Sequence, residues 1–215
     1  MSLVNIHIAH DRALIATDTL SGLMACGPQM DVGELHMTKC AILPHVNVAM
    51  AHRGDAMFAT MAFSALTLAA QRDFDGIAEI MPDLLASLVP QAMAARKQII
   101  GVEAFPGAEI ILVGWSPTLG RFEGVRWVRW PQDKAFTASR IGKALMLPDA
   151  EWAQTPDPPD TSAKMERVAR DQVAYVRREH HELPCGGRLM LTELTREAIT
   201  IRQIADLELP SAGVS

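Results

Sequence analysis

Ser2 and Asp18 are the first residues of this 215-residue chain whose types could do chemistry together, a hydroxyl and a carboxylate sixteen positions apart. A serine oxygen becomes a useful nucleophile only when a base takes its proton. Two readings of Ser2 therefore stand side by side: a working nucleophile, or a polar residue leading into a strand. Farther on, "HHELPC" (180–185) gathers His, Glu and Cys, all metal-ligand types. Adjacent His180 and His181 point in different directions on a helix, so the reading here is polar side chains at a helix end stopped by Pro184, with no metal or other cofactor. "RWVRW" (126–130) could stack on nucleic acid, but Arg alternating with apolar residues is also what a strand with one wet face shows.

The elements that must carry these residues are mostly strands. Val4, Ile6 and Ile8 alternate with polar neighbours, as in a strand with one buried face. "ALIAT" (13–17) is apolar enough to be covered on both faces, and the short break at Asp11-Arg12 makes the two an antiparallel hairpin that ends on Asp18. Residues 20–37 have no period and read as a long connection. "KCAILP" (39–44) and "VNVAMAH" (46–52) predict a second hairpin around Pro44-His45, and Gly54 ends strand behaviour.

"DAMFATMAFSALTLAAQR" (55–72) predicts a helix apolar nearly all round, hence buried on both sides, by the sheet on one and by a partner subunit on the other. Asp73 and Asp75 suit caps of a second helix over 76–98, which Pro82 and Pro90 should kink or split. A third hairpin joins 108–117 to 121–130, and 135–142 adds a strand. Residues 148–160, with four prolines and four acids, read as a surface excursion. A capped amphipathic helix follows at 161–182, with Met165, Val168, Ala169, Val173 and Val176 on one face. "GRLMLTEL" and "AITIRQIADLE" close the chain as a hairpin.

Hairpins dominate and no βαβ alternation appears, so the expectation is an α+β chain with largely antiparallel sheets and helices outside, one domain over 1–215. The net charge of −5 argues against a broad nucleic-acid surface. No apolar run reaches the roughly 18 residues of a membrane span, and the start lacks the pattern of a secretory signal. Three widely spaced cysteines, Cys26, Cys40 and Cys185, predict buried thiols rather than a disulfide framework, and a cytoplasmic, reducing compartment.

The order of elements resembles the proteasome β-type branch of the N-terminal nucleophile (Ntn) hydrolases, a four-layer αββα sandwich. "ALIATDT" is similar to that family's second strand, which ends in Asp and a small hydroxyl residue. "KCAILPHVNVAMAHRGDA" is similar to its lysine and hairpin, followed by a turn, an acid and a long helix. "GGRLMLTELTREAITIRQI" resembles its closing hairpin. The resemblance implies that Ser2 stands at the nucleophile position, with its own α-amine as base, and that Lys39 and Asp18 stand at the lysine and its paired acid. The backbone around His52, Arg53 and Gly54 stands at the oxyanion turn. It also implies assembly into rings, as homo-oligomers or larger protein assemblies.

The chain departs from that pattern in four places. Ser replaces the usual Thr, and the loop before Lys39 is longer. His52 and Arg53 bring side chains to a turn that is usually Gly-rich. Met1, while attached, makes the nitrogen of Ser2 an amide that cannot accept a proton. The reading is a proteasome-like subunit of an oligomeric assembly without hydrolytic activity while Met1 is retained. The alternatives are a Ser-dependent amidohydrolase or peptidase once Met1 is removed, and a structural block of a larger particle such as a phage tail or virion.

Overall fold

The computed structural model describes residues 2–21, 35–150, 152, 156–180 and 185–207. Two five-stranded antiparallel sheets lie face to face with helices on their outer sides. The first sheet has the order β10-β1-β2-β11-β12, built from β1 (Val4–Ile8), β2 (Arg12–Asp18), β10 (Ala144–Leu147), β11 (Arg188–Thr195) and β12 (Ile199–Asp206). The second runs β5-β6-β7-β8-β9, from β5 (Cys40–Leu43), β6 (Val48–Gly54), β7 (Ala108–Ser116), β8 (Arg121–Arg129) and β9 (Thr137–Arg140). A short pair, β3 (Leu20–Ser21) with β4 (Leu35–His36), brackets the connection after β2. The helices are α1 (Ala56–Leu68), α2 (Phe74–Ile100) and α3 (Ser162–Glu179).

Three layers of apolar contact hold four layers of structure. In β2, Ala13 and Ile15 face the other sheet while Leu14 and Ala16 face α3. In β7, Ile111 and Val113 face between the sheets while Ile110 and Leu112 face α1 and α2. Successive strand residues point to opposite faces, so a strand sandwiched on both sides is apolar at every position. This is why "ALIA" and "IILV" show no alternation. Met165, Val168, Ala169, Val173 and Val176 of α3 are all buried, as their spacing predicts.

Three expectations change, and the outer face of α1 gains detail. Residues 74–100 form one continuous helix with Pro82 and Pro90 inside it, not two. Its buried stripe, from Ile77 through Met81, Leu85 and Val89 to Ala92, holds it on α1 and the sheet, and tertiary packing outweighs the two missing N–H donors. Within this chain α1 is buried on its sheet side, at Phe58, Ala59, Ala62 and Leu66, while Thr60, Ser64 and Thr67 are exposed on the face expected to meet a partner subunit. The hydroxyls of Thr60 and Thr67 donate to the carbonyls of Ala56 and Phe63, so this outer stripe presents polar atoms already engaged with the helix. The strand β10, unseen in the sequence, pairs with β1, with Leu147 opposite Val4. Finally, Pro148, Ala150 and Pro159 are buried, so 148–160 is no simple surface excursion. Gln172 Nε2 of α3 donates to the carbonyl of Pro148 at 3.0 Å, and Asn5 Nδ2 of β1 donates to Gln172 Oε1 at 2.8 Å.

Candidate active site

The start of β1, the end of β2, the lead into β5 and the end of β6 meet at one rim of the sandwich. The pairing Val4–Thr17 sets Leu3 beside Asp18. Asp18 is fully buried and accepts three hydrogen bonds: from Leu3 N at 2.8 Å and Lys39 Nζ at 2.7 Å on Oδ1, and from Gly186 N at 3.0 Å on Oδ2. Lys39, itself 3% exposed, also donates to the carbonyl of Leu20 at 2.5 Å. A carboxylate and an ammonium this deep are stable only when paired and hydrogen-bonded, and each here has more than one partner.

Ser2 is half-buried, and its carbonyl accepts from Arg53 Nε at 2.9 Å. The Arg53 guanidinium is held in turn by Glu109 at 2.9 Å, and Arg126 flanks the same carboxylate at 3.3 Å. Glu109 is 1% exposed. The backbone on either side of the Ser2–Leu3 peptide bond is thus anchored twice, its oxygen to Arg53 and its nitrogen to Asp18. Met1 lies outside the described residues.

The turn after β6 has a specific geometry. Gly54 has φ of +87°, and a Cβ there would lie 2.6 Å from the carbonyl oxygen of Gly107. Only glycine fits such a backbone at such an approach. The N–H of Asp55 donates to that same carbonyl at 3.1 Å, and its carboxylate caps α1 by accepting from Met57 N and Phe58 N. The N–H of His52 donates to the carbonyl of Lys39. Its ring Nε2 lies 3.4 Å from the carbonyl of Thr38, and burial pushes the imidazole down to about 4. The His52 ring is therefore neutral at physiological pH.

Glu109, Gly186 and the carbonyl of Leu20 were not singled out from the sequence, and Arg126 was read only as part of a strand with one wet face. A signal for Glu109 was present: it is the one charge in "AEIILVG", a stretch otherwise apolar enough for a strand covered on both faces, and such a charge requires a partner. Cys185 sits beside this cluster. Burial pushes its thiol up to about 12, and the Asp18 charge acts in the same direction. Cys40 is buried too, its thiol pushed up to about 11. Cys26, His181 and Glu182 lie outside the described residues. Trp127 of "RWVRW" is buried against the α1–α2 side, while Arg126 turns to Glu109.

Solved structures share this architecture, two Anbu proteins among them. Anbu from Yersinia bercovieri, described as an ancestral β-subunit, superposes with a TM-score of 0.59 at 10% identity, over 95% of this chain and 88% of that one. A Gly-1 mutant of Anbu from Hyphomicrobium sp. strain MC1 gives 0.57 at 8% identity, over 95% and 86%. No family model and no curated protein matches the chain. The fold is that of the proteasome β-subunit-like Ntn hydrolases, an αββα sandwich. At this identity the likeness is one of fold. Among the described residues no helix is long and apolar enough to cross a membrane.

Proposed function

We propose that this chain is a proteasome-like subunit of an oligomeric assembly, without hydrolytic activity while Met1 remains attached to Ser2. The observation that supports it is the double anchoring around Ser2. Its carbonyl is tied to Arg53 and the following amide to Asp18, so the residue is held in place whether or not its nitrogen is free. With Met1 attached that nitrogen is an amide, and the hydroxyl has no base of its own. The uncharged outer stripe of α1, with Leu68 87% exposed at its end, is the surface this reading assigns to a neighbouring subunit.

The buried Asp18–Lys39 pair supports a second reading, an N-terminal-Ser amidohydrolase or peptidase formed by removal of Met1. The free α-amine of Ser2, with a pKa near 8 when unperturbed, would take the hydroxyl proton as Oγ bonds to a substrate carbonyl carbon. Lys39 would hold positive charge beside Oγ, kept in place by Asp18, with the third N–H of its ammonium assigned to the hydroxyl. The backbone N–H of Gly54 is assigned to the oxyanion. The proton then passes to the leaving amine, and water releases the acyl group from Oγ.

Intact-mass measurement of the native protein, followed by exposure to a β-lactone probe, tests the pair. The first reading expects Met1 to be present and Ser2 to stay unlabelled. Loss of Met1 with acylation at Ser2 rejects it and supports the second. For the assembly, size measurement in solution expects a multimer; a monomer at micromolar concentration rejects that part.

A further inference from the structure

We infer a second site, at the opposite rim of the sandwich, that binds a small organic anion. A cavity of about 280 Å³ opens there between the turn before β6, the link from α1 to α2, the end of β7 and the turn between β11 and β12. It lies at the start of β6, whereas the Asp18–Lys39 rim lies at its end. Seven strand residues place the two about 20 Å apart.

Two arginines, Arg72 and Arg196, line the cavity. Among the described residues neither forms an ion pair, while eight other arginines do. In a chain of net charge −5 two such cations on one cavity are notable. Arg196 is held in place. Asn47 Nδ2 donates to the carbonyls of Thr195 and Arg196, at 2.7 and 3.3 Å, and the guanidinium carbon stands 4.6 Å from the centre of the Trp115 ring. Trp115 is braced edge-on by Phe122 at 5.5 Å. A guanidinium stacked on an indole keeps its in-plane N–H groups for a ligand, and their fork matches a carboxylate or phosphate. Asp73 also lines the cavity, and its carboxylate accepts from Gly76 N as the cap of α2.

The other walls set the rest of the ligand. Pro44, Val46 and Pro117 are apolar. The volume lies just under the range of about 300–1,000 Å³ typical of drug-sized ligands. The occupant is therefore small and amphipathic: an oxyanion head between the two guanidiniums and a compact apolar body on the prolines and the indole. The site draws Arg196 from the first sheet and the rest from the second sheet and the helix link, so a ligand there ties the two halves of the sandwich together.

The test uses the full chain with its four tryptophans labelled with ¹⁵N at the indole, and phenyl phosphate and benzoate as probes. The Trp115 signal is assigned with Trp115→Phe. That signal should shift and saturate with one or both anions, with Kd in the range of about 0.1–1 mM. Response to one alone identifies the head group, response to both an oxyanion in general, and either supports the site. Phenol should produce no saturable shift. The double variant Arg72→Gln/Arg196→Gln, with its spectrum otherwise native, should weaken binding about tenfold or more. No saturable shift by about 10 mM, an equal response to phenol, or unchanged affinity in the double variant overturns the proposal. If the double variant does not fold, Arg196→Lys, which keeps the charge but loses the fork, should weaken binding severalfold; unchanged affinity there overturns it equally.

Discussion

Lys39 and Asp18 meet at 2.7 Å with both side chains essentially out of water, and the oxygen that holds the ammonium also holds the amide of Leu3. One carboxylate thus ties together the start of β1, the end of β2 and the lead into β5. Through its other oxygen it also fixes Gly186 ahead of β11. The pair is part of the architecture whatever chemistry occurs beside it.

Breaking it should therefore be costly. Asp18→Asn leaves Lys39 buried without a counter-charge and weakens the acceptor of two backbone amides, so a loss of about 3–5 kcal/mol is expected. Lys39→Met leaves Asp18 with its two amide donors and removes the buried cation, so it should cost less. Urea unfolding of both variants checks the order, and a larger loss for Lys39→Met would contradict this account.

Gly54→Ala should destabilise the chain by at least about 2 kcal/mol, because a Cβ would meet the Gly107 carbonyl at 2.6 Å on a backbone at φ +87°. The same change at Gly120, which is also at positive φ but has open space around it, should cost only about 1 kcal/mol. Thermal or urea unfolding of the two variants gives the comparison.

The neutral His52 predicts a pH dependence. Its folded pKa of about 4 lies below the ordinary 6.5, so between these values the unfolded chain binds the extra proton. Its contribution to stability is complete above about 6.5 and is lost as the pH falls towards 4, at most about 3.5 kcal/mol at about 1.4 kcal/mol per unit. His52→Gln should flatten the stability curve in that window. An unchanged slope would show that the titration belongs to other groups.

The thiols of Cys40 and Cys185, raised to about 11 and 12 by burial, should be inert towards a thiol-specific reagent at neutral pH. In a Cys26→Ser background, labelling should follow global unfolding and accelerate in step with denaturant. Fast stoichiometric labelling of the native protein would contradict the burial described for both.

Glu109→Gln should act on the anchoring of Ser2 at a distance. It removes the charge that holds Arg53 and Arg126, so the Arg53 hold on the Ser2 carbonyl should loosen. Amide exchange at Leu3 and Val4 should rise severalfold, with exchange in α3 unchanged; uniform protection would show that Arg53 holds Ser2 unaided.

Much of the fold was legible because its strands differ in exposure. "VNIHI" alternates as a strand with one face on the core, and "ALIAT" is apolar throughout as one covered on both. The helix at 161–182 showed its buried face at helical spacing. What stayed hidden was short or decided by packing. The four residues of β10 are too few for a period, and they become a strand only because β1 offers an open edge. Pro82 and Pro90 argue locally for a break that the buried stripe of α2 overrides. Thr60, Ser64 and Thr67 look like minor interruptions of an apolar helix until the structure sets them on one exposed stripe.

The sequence by itself determined the order of most elements, their antiparallel hairpin pairing, and the presence of Ser2, Asp18 and Lys39 at strand ends. Those properties follow from local periodicity, turn residues and the positions of a few charges. Only the tertiary structure decided that Asp18 gathers Leu3, Lys39 and Gly186, that Glu109 and Arg53 secure Ser2 from the second sheet, and that Arg72 and Arg196 share a cavity. Those partners lie between 15 and 168 residues apart along the chain. Hydrogen bonds and ion pairs at such separations are set by which strands pair and by how the two sheets stack, and no single local pattern encodes the set.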